Sequence, residues 1–215
     1  MSKMEDWLKI DLHVHTTKSS DGLSTINEVI RVARNKGLNG LAITDHNVPF
    51  TEHIDNFLII PGVEISTNYG HLIGLGLTAA PKKGINIWDA IDFIREHDGI
   101  IVIPHPFDRF RSGIKDIAWK IPAHAVEVIN AGTILNSANK KAEFLANKRN
   151  LGKVAGSDAH MAKLVGFAYT LIKADPDVDS ILKAIANKRT KPCGKTYGVL
   201  PKVEAFIKRQ IRKIR

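Results

Sequence analysis

The sequence predicts an α/β fold: a largely parallel sheet closed into a barrel, with helices outside. Two observations carry this. Short apolar runs with a period of two alternate along the chain with stretches of helical period, the pattern of strands linked by crossover helices. So many strands in 215 residues favour closure over an open sheet. The length allows one domain, residues 1–215, with little room for a second.

Taken in order, Lys9–His15 alternates, with Ile10, Leu12 and Val14 on one face and Asp11, His13 and His15 on the other. Thr25 and Glu28 form a capping-box pair, Ile26, Val29, Ile30 and Ala33 follow at helical spacing, and Gly37 supplies a stop. Further strands are expected at Gly40–Thr44, Leu58–Ile65, His71–Leu77, Gly99–Pro104, Ala125–Asn130, Lys153–Ser157 and Ala168–Ile172, and further helices at Asn86–His97, Ser137–Arg149, Asp177–Lys188 and Lys202–Ile214. A turn over Ser66–Gly70 makes Leu58–Ile65 and His71–Leu77 an antiparallel hairpin, which sets His71 beside Glu64.

Composition excludes disorder: 44% of residues are hydrophobic and 25% charged. No apolar run approaches the roughly 20 residues of a membrane-spanning helix, and Glu5 and Asp6 lie where a secretory signal would be apolar, so a cytoplasmic protein without a membrane partner is expected. A lone cysteine, Cys193, excludes an internal disulfide and a cysteine-based zinc knuckle. The net charge is +9, and residues 201–215 carry +5 of it. Val203, Phe206, Ile207, Ile211 and Ile214 recur at helical spacing there, so this basic helix is expected to pack its apolar face on the barrel. Lys208, Arg209, Arg212, Lys213 and Arg215 would stay in water, available to RNA or DNA phosphates.

Polar residues fall just after strands: His13, His15, His46, Glu64, His105, Asp158 and His160. In a parallel barrel those ends share one face, so positions 150 residues apart meet in one pocket. With His71 brought beside Glu64 by the hairpin, six of nine histidines belong to this set, with Asp21, Glu64 and Asp158 as carboxylates. Imidazole and carboxylate suit borderline divalent metals, and nine such groups exceed the needs of a single ion. His53, His97 and His124 are read as ordinary structural or surface histidines.

The segments Asp11-Leu-His-Val-His-Thr, Ser20-Asp-Gly, Ile43-Thr-Asp-His-Asn, Pro61-Gly-Val-Glu-Ile-Ser, His71-Leu-Ile-Gly-Leu-Gly, Pro104-His-Pro and Gly156-Ser-Asp-Ala-His resemble, in order, the motifs of the PHP (polymerase and histidinol phosphatase) phosphoesterases. The resemblance runs from about residue 8 to residue 172. It implies a distorted seven-stranded (β/α) barrel with a trinuclear site at its C-terminal rim. His13, His15, Glu64 and Asp158 would hold one ion, Glu64, His71 and His105 a second, and Asp21, His46 and His160 a third, with Mn, Zn or Fe as the metal. Asp21 stands where some relatives have histidine. Relatives with a helical insertion over the site differ from this chain, in which the strand near Pro122–Asn130 closely follows Arg109; a more open mouth is expected.

The implied activity is phosphoester hydrolysis by metal-activated hydroxide, on a phosphorylated small molecule, a nucleotide or an oligonucleotide end. Glu64 would bridge ions, and His46 or His160 would assist proton transfer. Arg109 is the first candidate to hold substrate phosphate, with Lys18 and Arg111 behind it. Two other classes compete: an amidohydrolase, which would place a bridging lysine where this chain has Glu64, and a nucleic-acid-binding ribonucleoprotein subunit, which would not keep nine ligand-type residues.

Overall fold

The computed structural model describes residues 7–214; Glu5, Asp6 and Arg215 lie outside them. In chain order the elements are β1 (Trp7–Val14), α1 (Ile26–Asn35), β2 (Gly40–Ile43), β3 (Leu58–Ser66), β4 (His71–Leu75), α2 (Ile87–Glu96), β5 (Ile100–Ile103), β6 (Ala125–Asn130), α3 (Asn136–Lys148), β7 (Gly152–Gly156), β8 (Ala168–Lys173), α4 (Val178–Ala186), β9 (Thr190–Gly194) and α5 (Leu200–Ile214). α1, α2 and α4 start at capping side chains, whereas Leu135 before α3 makes no such bond. Thr25 and Glu28 exchange side-chain and backbone bonds as a capping box on α1, and Asn86 and Asp177 cap α2 and α4.

One sheet of nine strands, in the order β7-β6-β5-β4-β3-β2-β1-β8-β9, curls into a nearly closed barrel. The seven-strand expectation is thereby corrected. The unforeseen strand is β9, whose sequence Thr-Lys-Pro-Cys-Gly has no apolar alternation; it forms by pairing with β8 at the sheet edge, where proline is tolerated. The sheet is also mixed rather than largely parallel. β1–β2, β2–β3, β5–β6 and β6–β7 run parallel, whereas β3–β4, β4–β5, β1–β8 and β8–β9 run antiparallel. The β3–β4 hairpin is present as expected, with Ser66 opposite His71.

The edge strand β7 meets β1 and β8 through bonds that close the barrel. Thr170 Oγ1 accepts from the Ala155 N–H at 2.8 Å and donates to the Ala155 carbonyl at 2.9 Å. Asp11, fully buried, accepts from the Ser157 and Gly166 N–H groups at 2.9 and 2.8 Å, and the Asp158 N–H donates to the His13 carbonyl at 2.8 Å. Burial pushes the Asp11 carboxyl up to about 6 against these donors. Inside, Ile10, Leu12, Ile60, Leu75, Val102 and Val154 form a buried core onto which α4 packs Ile181 and Ile185. A second core lies under α2 and α3, and a third under α1.

α5 departs from expectation. It rests on the barrel through buried Ala205 and through polar contacts: Arg209 Nε donates to the Asp21 carbonyl at 2.8 Å, and Glu204 pairs with Lys163. Val203, Phe206, Ile207 and Ile211 are about half exposed or more. Ala205 joins the apolar cluster under α1, while Arg209, its side chain 32% exposed, is drawn to Asp21 and does not stay fully in water. The side chains of Lys202, Arg212, Lys213 and Ile214 lie outside the described residues. No helix among the described residues is long and apolar enough to cross a membrane.

Gly156 measures how tight the closure is: a Cβ there would sit 2.4 Å from His13 Cβ and 2.7 Å from Glu127 Oε1. Gly156→Ala is expected to lower stability by about 1–3 kcal/mol in urea unfolding; unchanged stability would mean that the seam relaxes freely.

Candidate metal centre

β1, β2, β5 and β7 deliver His13, His15, His46, His105, Asp158 and His160 at or just beyond their C-terminal ends, Asp21 comes from the loop after β1, and the hairpin supplies Glu64 and His71. A register irregularity in β1 between Asp11 and Val14 breaks the strict alternation. It leaves Asp11 on the seam while His13 and His15 turn inward, the re-aiming that bulges provide beside sites.

Glu64 is the hub. It is 1% exposed; its Oε1 lies 2.9 Å from His71 Nδ1 and 3.0 Å from His105 Nε2, and its Oε2 lies 3.2–3.3 Å from nitrogens of His13, His15 and His46. His13 Nε2 and His15 Nε2 are 3.1 Å apart, and the His15 and His160 rings stack at 4.2 Å. Four sets of donor atoms each converge within 4.8 Å: His15, Asp21, His46 and His160; His13, Glu64 and His105; His13, His15 and Asp158; His46, Glu64 and His71. All nine sequence-selected groups therefore meet in one place.

The donor set fits divalent cations. Asp21 Oδ1 and His105 Nδ1 are buried without a hydrogen-bond partner, and the Nδ1 atoms of His46 and His71 approach Glu64 without hydrogen-bond geometry, a costly condition for polar atoms unless something else satisfies them. Lone pairs from this many imidazoles facing one another need positive charge between them.

The electrostatics point the same way. Burial opposes charge on Glu64, yet His71, His46 and His13 hold its pKa well below the usual carboxylate range. Asp158 is likewise lowered, its burial outweighed by Arg111, His13 and His160. Burial also disfavours charge on His46, but Glu64 and Asp21 raise it to about 9. Burial and neighbouring His160 push His15 down to about 3, while Glu127, Asp158 and Glu64 overcome burial and raise His13 well above its ordinary value.

Outer groups hold the inner ones. Glu127 Oε1 lies 3.1 Å from His13 Nδ1, and its Oε2 accepts from the His105 N–H at 3.0 Å and from Asn130 Nδ2 at 2.9 Å. Asn130 Nδ2 also donates to Asp158 at 3.1 Å. Asp45 accepts from the Thr16 N–H and hydroxyl and from the Ser19 N–H, ordering the loop that carries Asp21. His105 and Asp158 adopt φ of 28° and 52°, rare for side chains with a Cβ and typical of strained functional positions. The sequence reading missed Glu127 and Asn130, although an acid inside the apolar run Ala-Val-Glu-Val-Ile-Asn was a usable signal.

A cavity of about 410 Å³ opens over the centre, lined by Asp21, Glu64, Arg111, Asp158, Tyr197 and Arg209 among others. Arg111 ion-pairs with Asp158 and donates to the Gly132 carbonyl and the Tyr197 hydroxyl at 3.1 Å each. Pro201, Ala205 and Phe206 of α5 form one wall, so the mouth is partly covered by a helix distant in sequence. Arg109 is exposed and, with Lys18, lines a separate neighbouring groove. His53 is exposed beside Asp55, His97 bonds the Phe93 carbonyl, and His124 accepts from the Ile101 N–H; none of them enters the centre.

Among known proteins, the family model described as PHP-associated matches residues 136–190. An uncharacterized protein of Methanocaldococcus jannaschii is 36% identical over 169 residues, covering 75% of this chain and 69% of its own length. The probable phosphatase YcdX of Shigella flexneri is 27% identical over 220 residues, covering 83% of this chain and 89% of that protein. The crystal structure of a two-domain Bacteroides vulgatus protein, described as containing a predicted PHP-like metal-dependent phosphoesterase, superposes with a TM-score of 0.69 at 22% identity, over 88% of this chain and 65% of that one. With its ligand-type residues gathered in one cluster on a barrel of the same fold, the chain belongs to the PHP family of metal-dependent phosphoesterases.

Proposed function

We propose that the protein hydrolyses a phosphomonoester, or the terminal phosphoester of a nucleotide or oligonucleotide, at a trinuclear site. The observation that carries this reading is Glu64, one buried carboxylate with its two oxygens turned toward five histidines. In it, His13, His15, Glu64 and Asp158 hold one divalent ion, Glu64, His71 and His105 a second, and Asp21, His46 and His160 a third, with manganese, zinc or iron as the metal. Bound there, such ions supply Lewis-acid charge and acidify water near neutral pH.

The chain's own groups do the rest. Arg111 has five N–H donors, three of them tied to Asp158, Gly132 and Tyr197, and it lines the cavity, where its charge balances that on the phosphoryl oxygens. His46 and His160, with side chains 19% and 9% exposed, would assist transfer of the proton that the leaving alkoxide takes up as the P–O bond breaks, when the third ion does not occupy their nitrogens. The amidohydrolase reading is not favoured, because Glu64 and not a lysine stands between the donor sets. Residues 1–215 act as one domain in this reading, with the basic helix 201–215 as its accessory wall.

Chelation with EDTA is expected to abolish hydrolysis of p-nitrophenyl phosphate, and Mn²⁺ to restore it; undiminished turnover by metal-free protein would refute the reading. Glu64→Ala should lose more metal by ICP-MS than His105→Ala, and equal metal content in Glu64→Ala and wild type would exclude a bridging role. Because the protons on His13 and on His46, at about 9, must leave before their nitrogens bind a cation, apparent Mn²⁺ affinity should rise with pH toward 9 with proton release in titration calorimetry; a flat profile would contradict this. Arg111→Ala is expected to lower kcat/KM by about 10- to 1000-fold, roughly 1.4–4 kcal/mol, with Arg111→Lys recovering only part.

A further inference from the structure

The cavity over the metal centre has two chemically distinct sides. Asp21, Glu64, Asp158 and the histidines make one, whereas Phe110, Ile134, Pro201 and Phe206 make an apolar wall. Phe110 is 70% exposed, Phe206 62% and Ile134 39%. Single exposed apolar side chains are ordinary on a protein surface, but several gathered in one place mark a contact. These three come from the loop after β5, the connection between β6 and α3, and α5, so only folding brings them to one opening. Exposed rings elsewhere are partly covered: Lys191 Nζ lies 4.3 Å from the centre of the Trp7 ring, and Trp119 and Lys148 flank Phe144. Among the described residues, no ring or cation lies over Phe110 or Phe206.

The wall is held from behind. Arg111, next to Phe110, donates to the Gly132 carbonyl at 3.1 Å and so ties the loop after β5 to the turn that carries Ile134. Gly132 leaves room for this, since a Cβ there would sit 2.4 Å from Arg111 Nη2. The Phe110 N–H donates to the buried Asp108 carboxylate at 2.9 Å. On α5, buried Ala205 and the bond from Arg209 Nε to the Asp21 carbonyl at 2.8 Å fix the turn that presents Phe206. Each apolar side chain thus faces solvent from a backbone that its neighbours lock, and covering it with a ligand costs little further ordering. Phe206 also borders a longer apolar stripe. Val203 lies three residues before it, Ile207 and Ile211 follow Val203 at successive steps of four, and all three are about half exposed.

We infer that this wall receives the leaving group of the substrate and that the leaving group is an aliphatic chain, which makes the substrate a lipid-like phosphomonoester. The inference rests on the phosphoesterase reading above and names the substrate class of that same site. Water adds to phosphorus, the bond from phosphorus to the ester oxygen breaks, and the products are inorganic phosphate and an alcohol that has taken up the proton. A chain suits the wall better than a sugar does, because hydroxyl groups would lose water against Phe110, Ile134 and Phe206 without gaining a partner. The branched aliphatic side chains of the α5 stripe extend the same surface beyond the cavity, whose volume of about 410 Å³ holds a phosphate and the first part of a chain. A soluble alkyl phosphate and phosphatidic acid at a bilayer surface share this chemistry.

The test compares wild type with Phe110→Ser/Phe206→Ser, both loaded with Mn²⁺, by release of inorganic phosphate. The compounds are ethyl, butyl, hexyl and octyl phosphate, adenosine 5′-monophosphate, and phosphatidic acid in phosphatidylcholine vesicles. In wild type, kcat/KM is expected to rise about 2- to 4-fold with each added methylene, up to what full burial of that group gives, and the variant to flatten the rise. Turnover of phosphatidic acid that falls about 10-fold or more in the variant assigns the source as a membrane lipid; turnover of octyl phosphate without it assigns a soluble ester. Equal kcat/KM for ethyl and octyl phosphate, a preference for adenosine 5′-monophosphate over octyl phosphate, or a rise unchanged in the variant overturns the inference. If wild type hydrolyses none of these compounds, the phosphoesterase reading fails separately, and calorimetry decides. Octyl phosphate bound about 10-fold or more tighter than ethyl phosphate by wild type, and not by the variant, supports the wall; equal affinities refute it. Matching thermal melts of the two proteins keep misfolding out of the comparison.

Discussion

A buried carboxylate surrounded by imidazoles is the constraint on which the rest of the structure depends. Glu64 has been removed from water, and a lone buried anion would be strongly unfavourable. It persists because β1, β2, β4 and the segment after β5 each bring a histidine nitrogen to within 3.3 Å of it. That geometry requires the hairpin, which sets His71 beside the end of β3, and a barrel closed tightly enough for β7 to carry Asp158 alongside β1. The tight glycine at the end of β7 and the staple formed by Asp11 serve the same convergence.

Orientation comes from a layer of groups that do not face the cavity. Glu127 engages both His13 and the backbone of His105, and Asn130 joins Glu127 to Asp158. β6 therefore links three ligand-bearing elements without supplying a candidate ligand itself. A second irregularity in register, between Glu127 and Ile129, separates Glu127 from Asn130 by an odd step and lets both reach inward. Such outer partners fix imidazole tautomers and ring orientation at metal sites.

Around this centre the surface is asymmetric. α5 and Arg111 wall one side, where carboxylates are concentrated, while the β3–β4 turn and the loop after β5 form a cationic groove on the other. Positive potential beside an anion-processing centre raises the local concentration of phosphorylated ligands. The Arg109/Arg111 pair shows how finely this is divided: two residues apart, one is exposed on the groove and the other is locked between Asp158, Gly132 and Tyr197.

The sequence by itself determined the strand and helix positions from β1 to β8, the capping of α1, the β3–β4 hairpin and the nine residues that meet at the centre. Those signals are local: periodicity, turn residues, and polar groups set at the ends of apolar runs. Tertiary structure alone decided what depends on partners distant in the chain. β9 has no intrinsic strand pattern and exists through its pairing with β8; antiparallel β8 and β9 add to the antiparallel β4 in making the sheet mixed. α5 leaves Val203, Phe206, Ile207 and Ile211 outward and anchors through Ala205, Arg209 and Glu204 because Asp21 and Lys163 lie beneath it, which no helical period can reveal. The roles of Glu127, Asn130 and Tyr197 likewise arise only when folding brings His13, Asp158 and Arg111 to them, since a hydrogen bond across 114 residues leaves no trace in local spacing.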